Sequence, residues 1–151
     1  MTTPLDKPNH GALSHLRILE YGDIPASYAT RWLGDLGADV IKIEKPGGDS
    51  ARTLGPFSGN VPDPEKSLTF INANLNKRSI VLDLESSEKD KETFLKLIAS
   101  ADALVESTRP GTFDGWGLSQ EVLLNTNENL VTTSITPFGQ IGPYSKYRGS
   151  H

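Results

Sequence analysis

Cysteine is missing altogether, so the chain forms no disulfide, offers no thiolate nucleophile and holds no cysteine-ligated metal. Histidine is scarce too. His10, His15 and His151 are scattered and make no paired metal motif of the His-Glu-x-x-His kind. Cations are in slight deficit: a formal charge of −4 argues against a generic nucleic-acid binder, though it leaves room for a local basic patch. No apolar run approaches the length of a membrane span, and the first residues lack a signal peptide's apolar core. These absences set the expectation of a cytoplasmic protein with no metal, no nucleic-acid partner and no membrane partner. The 151 residues present are about one domain's worth, enough to bury a core.

Alternating strand and helix signals run along the chain. Met1–His15 is polar, with two prolines and a glycine, and is expected to be a flexible N-terminal arm before a folded unit over 16–151. Leu16–Tyr21 is a short apolar run closed by Gly22-Asp23, a first strand. Tyr28, Ala29, Trp32, Leu33 and Leu36 then recur at helical spacing over Ala26–Leu36, and Gly37 stands where a C-terminal helix cap belongs. Asp39–Glu44 reads as a second strand, completing a right-handed βαβ unit. Lys45–Lys66 is rich in Gly, Pro, Ser and Asp without periodicity, and a loop of that length is usually functional. A short helix over Leu68–Leu75 precedes a third strand over Ser79–Leu84. Ser87-Glu-Lys-Asp90 is a capping pattern that opens a helix with Phe94, Leu95 and Ile98 on its apolar face. Ala103–Glu106 is a fourth strand, Arg109-Pro110-Gly111 a turn, Ser119–Asn125 one or two helical turns, and Leu130–Ile135 a fifth strand. This order implies an α/β fold with a mostly parallel, doubly wound, Rossmann-like sheet.

In such a sheet the C-terminal strand ends frame the ligand crevice. Here they carry Tyr21-Gly-Asp23, Glu44-Lys45, Asp83, Glu106-Ser-Thr108 and Thr136-Pro137. A nicotinamide-binding turn is absent. It needs Gly-x-Gly-x-x-Gly after the first strand, whereas this chain has one glycine and an aspartate that would repel phosphate. No Walker phosphate loop occurs either. Lys42, Lys45, Arg52 and Lys77-Arg78 instead put cations near two neighbouring strand boundaries, which suits a polyanionic nucleotide such as coenzyme A as well as it suits solvated surface lysines.

Several ordered blocks resemble one enzyme family. They are Ala29-Thr-Arg-Trp-Leu-Gly-Asp-Leu-Gly-Ala-Asp-Val-Ile-Lys-Ile-Glu44 and Asn74-Leu-Asn-Lys-Arg-Ser-Ile-Val-Leu-Asp83, then Ala101–Glu106, Arg109-Pro-Gly111, Gly117-Leu118 and Phe138–Tyr144. From about Leu16 onward the chain is similar to the class III CoA-transferases, the CaiB/BaiF family, which also includes 2-methylacyl-CoA racemases. The resemblance implies part of the Rossmann-like large domain, two subunits interlocked as a homodimer, and no permanently bound cofactor. Its substrates would be an acyl-CoA and a carboxylic acid, with CoA transferred between acids through an aspartyl-CoA thioester, or the α-proton exchanged as in the racemases.

Carried over by position, the resemblance implies CoA contacts at Lys45, Leu75, Lys77 and Ser107. It also implies that the nucleophilic aspartate falls beyond the stretch Tyr144–His151, so that this portion binds CoA without turning it over. An acid/base aspartate of the racemases falls near His151, but Arg-Gly-Ser-His also matches the start of a histidine-tag scar. The chain departs from the family pattern at Pro25-Ala26-Ser27, at Thr108 and at Gly115. Those departures are what a noncatalytic, degenerate half kept for CoA binding or assembly would show.

Overall fold

The computed structural model describes residues 11–149. The first ten residues of the arm expected over Met1–His15, and His151, lie outside the described residues.

Among the described residues five strands form one sheet: β1 (Arg17–Tyr21), β2 (Asp39–Glu44), β3 (Lys77–Val81), β4 (Ala103–Glu106) and β5 (Val131–Ser134). Every pairing is parallel and the order is β3-β2-β1-β4-β5. The chain thus winds outward through β2 and β3, then returns to the other side of β1. The reversal between β1 and β4 is where such sheets open a crevice.

Parallel strands are covered on both faces, so their side chains are apolar in both directions. Ile18, Val40 and Val105 point to one face with Ala26 and Ala38, against α1 (Ile24–Asp35). Leu19, Tyr21, Ile41, Ile43 and Leu104 point to the other. There they meet Phe94 and Ile98 of α3 (Glu88–Ile98) and Leu123 of α5 (Gln120–Thr126). A short α2 (Leu68–Ala73) follows the long loop, which holds two single-turn 3₁₀ segments, Ser50–Thr53 and Ser58–Asn60. No helix among the described residues is long and apolar enough to cross a membrane.

Local chemistry explains the element ends. Gly37 has φ +105°, the left-handed geometry that stops α1 after Leu36. Ser67, Ser87 and Ser119 each accept the backbone N–H three residues on, capping α2, α3 and α5. The capping pattern at Ser87 is only half reciprocal, because Asp90 turns its carboxylate to the N–H of Asp83 instead.

Two elements differ from the expected ones. The third strand begins at Lys77, two residues before the start of the expected Ser79–Leu84, and ends at Val81, three before its end, because its register is set by Lys77 lying opposite Val40. Leu82 and Leu84 are buried beyond the strand rather than within it. A one-turn helix, α4 (Thr112–Gly115), follows Gly111, where a plain turn was expected. Phe113 and Trp116 bring their rings edge-on to Tyr21 at 5.7 and 5.6 Å. Residues 11–15 form a turn tied to α1, with the N–H of Leu13 bonded to the carbonyl of Leu36.

Candidate functional site

Four of the five strand ends expected to frame a crevice do so, those of β1 to β4, whereas Thr136-Pro137 after β5 does not line it. A cavity of about 430 Å³ is lined by Tyr21, Gly22 and Asp23 after β1, Glu44 to Pro46 after β2, Asp83 to Ser86 after β3, and Ser107 with Thr108 after β4. Trp116 adds an aromatic wall, and Lys42, Gly48 and Asp49 complete the lining.

The floor of the cavity is a buried ion network. Glu20 and Lys42 stand opposite each other on β1 and β2 and both face α1. Lys42 Nζ lies 2.7 Å from Glu20 Oε1, 2.9 Å from Ser27 Oγ and 2.6 Å from Asp49 Oδ2. Ser27 and Thr30 on α1 donate their hydroxyls to the Glu20 carboxylate. Burial opposes the charged form of Glu20, yet the Lys42 and Lys77 ammoniums outweigh it and hold its carboxyl below the usual range. The network's two ammoniums balance its two carboxylates.

The loop after β2 is pinned at both ends. Asp49 is held by Lys42, and Glu44 by Arg52, whose Nε and Nη2 reach the two carboxylate oxygens at 2.7 and 2.9 Å. The Glu44 carboxyl is pulled down to about 2, first by the Arg52 hydrogen bonds, against burial, and further by Ser79 Oγ and the N–H of Asp49. Between these anchors Lys45 to Gly48 forms a turn closed by the N–H of Gly48 on the Lys45 carbonyl. Gly47 and Gly48 both have positive φ, so the turn depends on glycine.

Ser107 ties the far wall to the β1–α1 turn. The N–H of Asp23 donates to Ser107 Oγ at 2.9 Å, and Ser50 donates to Asp23 Oδ1 at 2.7 Å, so three walls are linked by hydrogen bonds. Gly22 makes this approach possible: at φ +125° a Cβ would lie 2.5 Å from Ser107 Oγ. Tyr21 stays protonated, its phenol pushed up to about 12 by burial and then by Glu85, Asp83 and Asp23. The cavity lining carries these acids, Asp23, Asp83 and Glu85, together with Lys45. Among the described residues no group of three His, Cys, Asp or Glu could hold a metal ion.

Of the residues singled out from sequence, the structure brings Lys45 and Ser107 to this cavity. Lys45 is exposed and, among the described residues, makes no ion pair. Lys77 lies in the network behind the cavity, its three N–H donors meeting Glu20 Oε2 at 2.7 Å, the Ser27 carbonyl at 2.7 Å and Asn74 Oδ1 at 2.9 Å. Leu75, just after α2, is exposed and does not line the cavity. Arg78, grouped with Lys77 by sequence, bonds instead to Asp39 at the start of β2, where Arg17 also binds. Sequence reading missed Glu20, Ser27 and Asp49 as a unit. The signal was present in two charged residues, Glu20 and Lys42, standing inside runs that are otherwise apolar and buried on both faces.

Known proteins match this architecture over nearly the whole chain. The family model for CoA-transferase family III matches residues 13–150. The succinyl-CoA:(R)-benzylsuccinate CoA-transferase subunit BbsE of Thauera aromatica is 44% identical over 137 residues, covering 91% of this chain and 33% of that one. The succinyl-CoA–L-malate CoA-transferase alpha subunit of Chloroflexus aurantiacus is 38% identical over 151 residues, covering 99% and 34%. A CAIB/BAIF family protein of Brucella suis, known from its crystal structure, superposes with a TM-score of 0.83 at 36% identity, covering 92% of this chain and 37% of that one. The chain thus spans about a third of the length of the curated relatives it matches. With the parallel sheet, its strand-end cavity and this run of similarity together, the chain belongs to CoA-transferase family III.

Proposed function

We propose that this chain supplies the CoA-binding portion of a CoA-transferase that moves CoA between carboxylic acids, and that the cavity at the strand ends receives the phosphate end of CoA. The observation that carries the reading is Lys45: an ammonium free of ion pairs among the described residues, at the rim of a strand-end cavity whose other lysine is neutralised. A lysine at a pinned turn can meet phosphate oxygens without first breaking a salt bridge. Ser107 and the N–H groups of the adjoining turns offer neutral donors nearby. Lys77 contributes from behind, by holding the floor on which the turn rests, whereas the exposed Leu75 does not line the cavity.

The transfer itself requires an enzyme carboxylate that attacks the thioester carbon and forms a mixed anhydride while CoA departs as thiolate; the thiolate then attacks the enzyme's carbonyl in the anhydride, giving the enzyme thioester and releasing the donor acid as its carboxylate. The cavity's own carboxylates are poorly placed for that role. Glu44 and Asp49 are in ion pairs, Asp23 and Asp83 accept hydrogen bonds, and Glu85 is exposed. The nucleophile therefore belongs to residues outside this portion, and a homodimer would bring a second cavity into the same assembly. Two of the relatives above are named for succinyl-CoA, which makes a dicarboxylate acyl-CoA the first donor to try.

Calorimetric titration of CoA into the purified 151-residue chain tests the reading. Binding is expected for the wild type and is expected to weaken about tenfold or more in Lys45→Ala, the effect of one lost charge-assisted phosphate contact. No CoA exchange between succinate and a second acid is expected. Equal affinity in the two proteins, or turnover by this chain alone, contradicts the account.

A further inference from the structure

Glu44 is an obstacle to any anion entering this cavity. Glu44 is in the lining beside Lys45, and a bare negative charge there would cancel the ammonium's field. Arg52 covers it. The guanidinium forks onto both carboxylate oxygens, Ser79 Oγ donates to Oε1 at 2.7 Å, and the N–H of Asp49 to Oε2 at 3.0 Å. A fork of this geometry is something arginine makes and lysine cannot.

Arg52 is itself held from three sides without lining the cavity. Its guanidinium carbon sits 3.8 Å from the centroid of the Phe70 ring on α2, and Nη1 reaches Glu65 at 2.9 Å. Gly48 leaves room for its stem, since a Cβ there would lie 2.9 Å from Arg52 Cδ. Near the turn, Lys42 is balanced by Asp49, and Arg52 stands between Glu44 and the exposed Glu65, which leaves Lys45 as the cation of this turn that makes no ion pair among the described residues. Without Arg52 the turn loses one positive charge, while the acids Asp23, Asp83 and Glu85 remain in the lining.

We propose that Arg52 is a positioning residue that sets the cavity's affinity for phosphate, by masking the Glu44 carboxylate so that Lys45 determines the charge a ligand meets. The inference rests on the CoA reading above, extending it to a residue that touches no ligand.

The experiment compares wild type, Arg52→Gln, Glu44→Gln and the double variant Glu44→Gln/Arg52→Gln, each titrated with CoA and with pantetheine, which lacks phosphate. Arg52→Gln should bind CoA about tenfold more weakly, as expected for one net charge beside a phosphate. The double variant, having lost both charges, should recover to within about threefold of wild type. Pantetheine affinity should be the same throughout. A double variant as weak as Arg52→Gln, or an Arg52→Gln protein that binds CoA normally, overturns the proposal. A second readout needs no CoA: the ratio of relaxation by anionic and cationic nitroxides at the amides of Gly47 and Gly48. That ratio should fall in Arg52→Gln and return in the double variant. If it does so while wild type binds no CoA, the CoA reading fails and the masking stands; if it does not move, the masking fails whatever CoA does.

Discussion

Glu20 is the residue on which the interior depends most. Its carboxylate is completely buried and receives two hydroxyls and two ammoniums, so removing it strands both lysines away from water with only Asp49 as counter-charge. Glu20→Ala should cost about 3–5 kcal/mol, the range for breaking a buried pair from one side. A urea melt of the variant checks this; a loss below about 1 kcal/mol would place the network among ordinary surface ion pairs. At this scale the sequence was least legible. Lys45 and Lys77 look alike in a string, and both precede or follow a strand. Only the register that sets Lys77 opposite Val40 turns its side chain to Glu20, while Lys45 lies past the end of β2 and is free to point outward.

Among the elements, the turn between Glu44 and Arg52 joins fold to site most directly. It was legible as a loop from its Gly, Pro and Asp content, and its placement after β2 followed from the strand ending at Glu44. Its closure was not, because pairing of Glu44 with Arg52 is a matter of loop conformation that periodicity does not carry. The same holds for α4, too short to show a helical period, and for the start of β3, decided by pairing with β2. The closure has a pH signature. Glu44 is depressed in the fold from 4.5 to about 2, so its contribution to stability is present above the unfolded value and lost as pH falls toward the folded one. The difference in melting temperature between wild type and Glu44→Gln should therefore be full at neutral pH and shrink between about 4.5 and about 2. A difference that stays constant across that window would mean that the carboxylate is not specifically held by the fold.

Across the whole molecule, alternation of strand and helix was enough to give a parallel sheet with helices on both faces, because only buried parallel strands need apolar residues in both directions. Strand order was beyond it: nothing local says that β4 pairs with β1 rather than β3. That reversal is what opens the cavity, so the site is a property of topology first and of Lys45 second. Three of the family blocks fall at the same places, in β2, β3 and β4, whose ends each contribute an edge of the cavity. The most direct test of the central claim is the footprint of CoA on the backbone amide spectrum of the chain. The account predicts shifts concentrated at Gly22–Asp23, Lys45–Asp49 and Ser107–Thr108, with β5 and α5 unmoved. Saturable binding with shifts confined to β5, α5 or the outer face of α1 would contradict it.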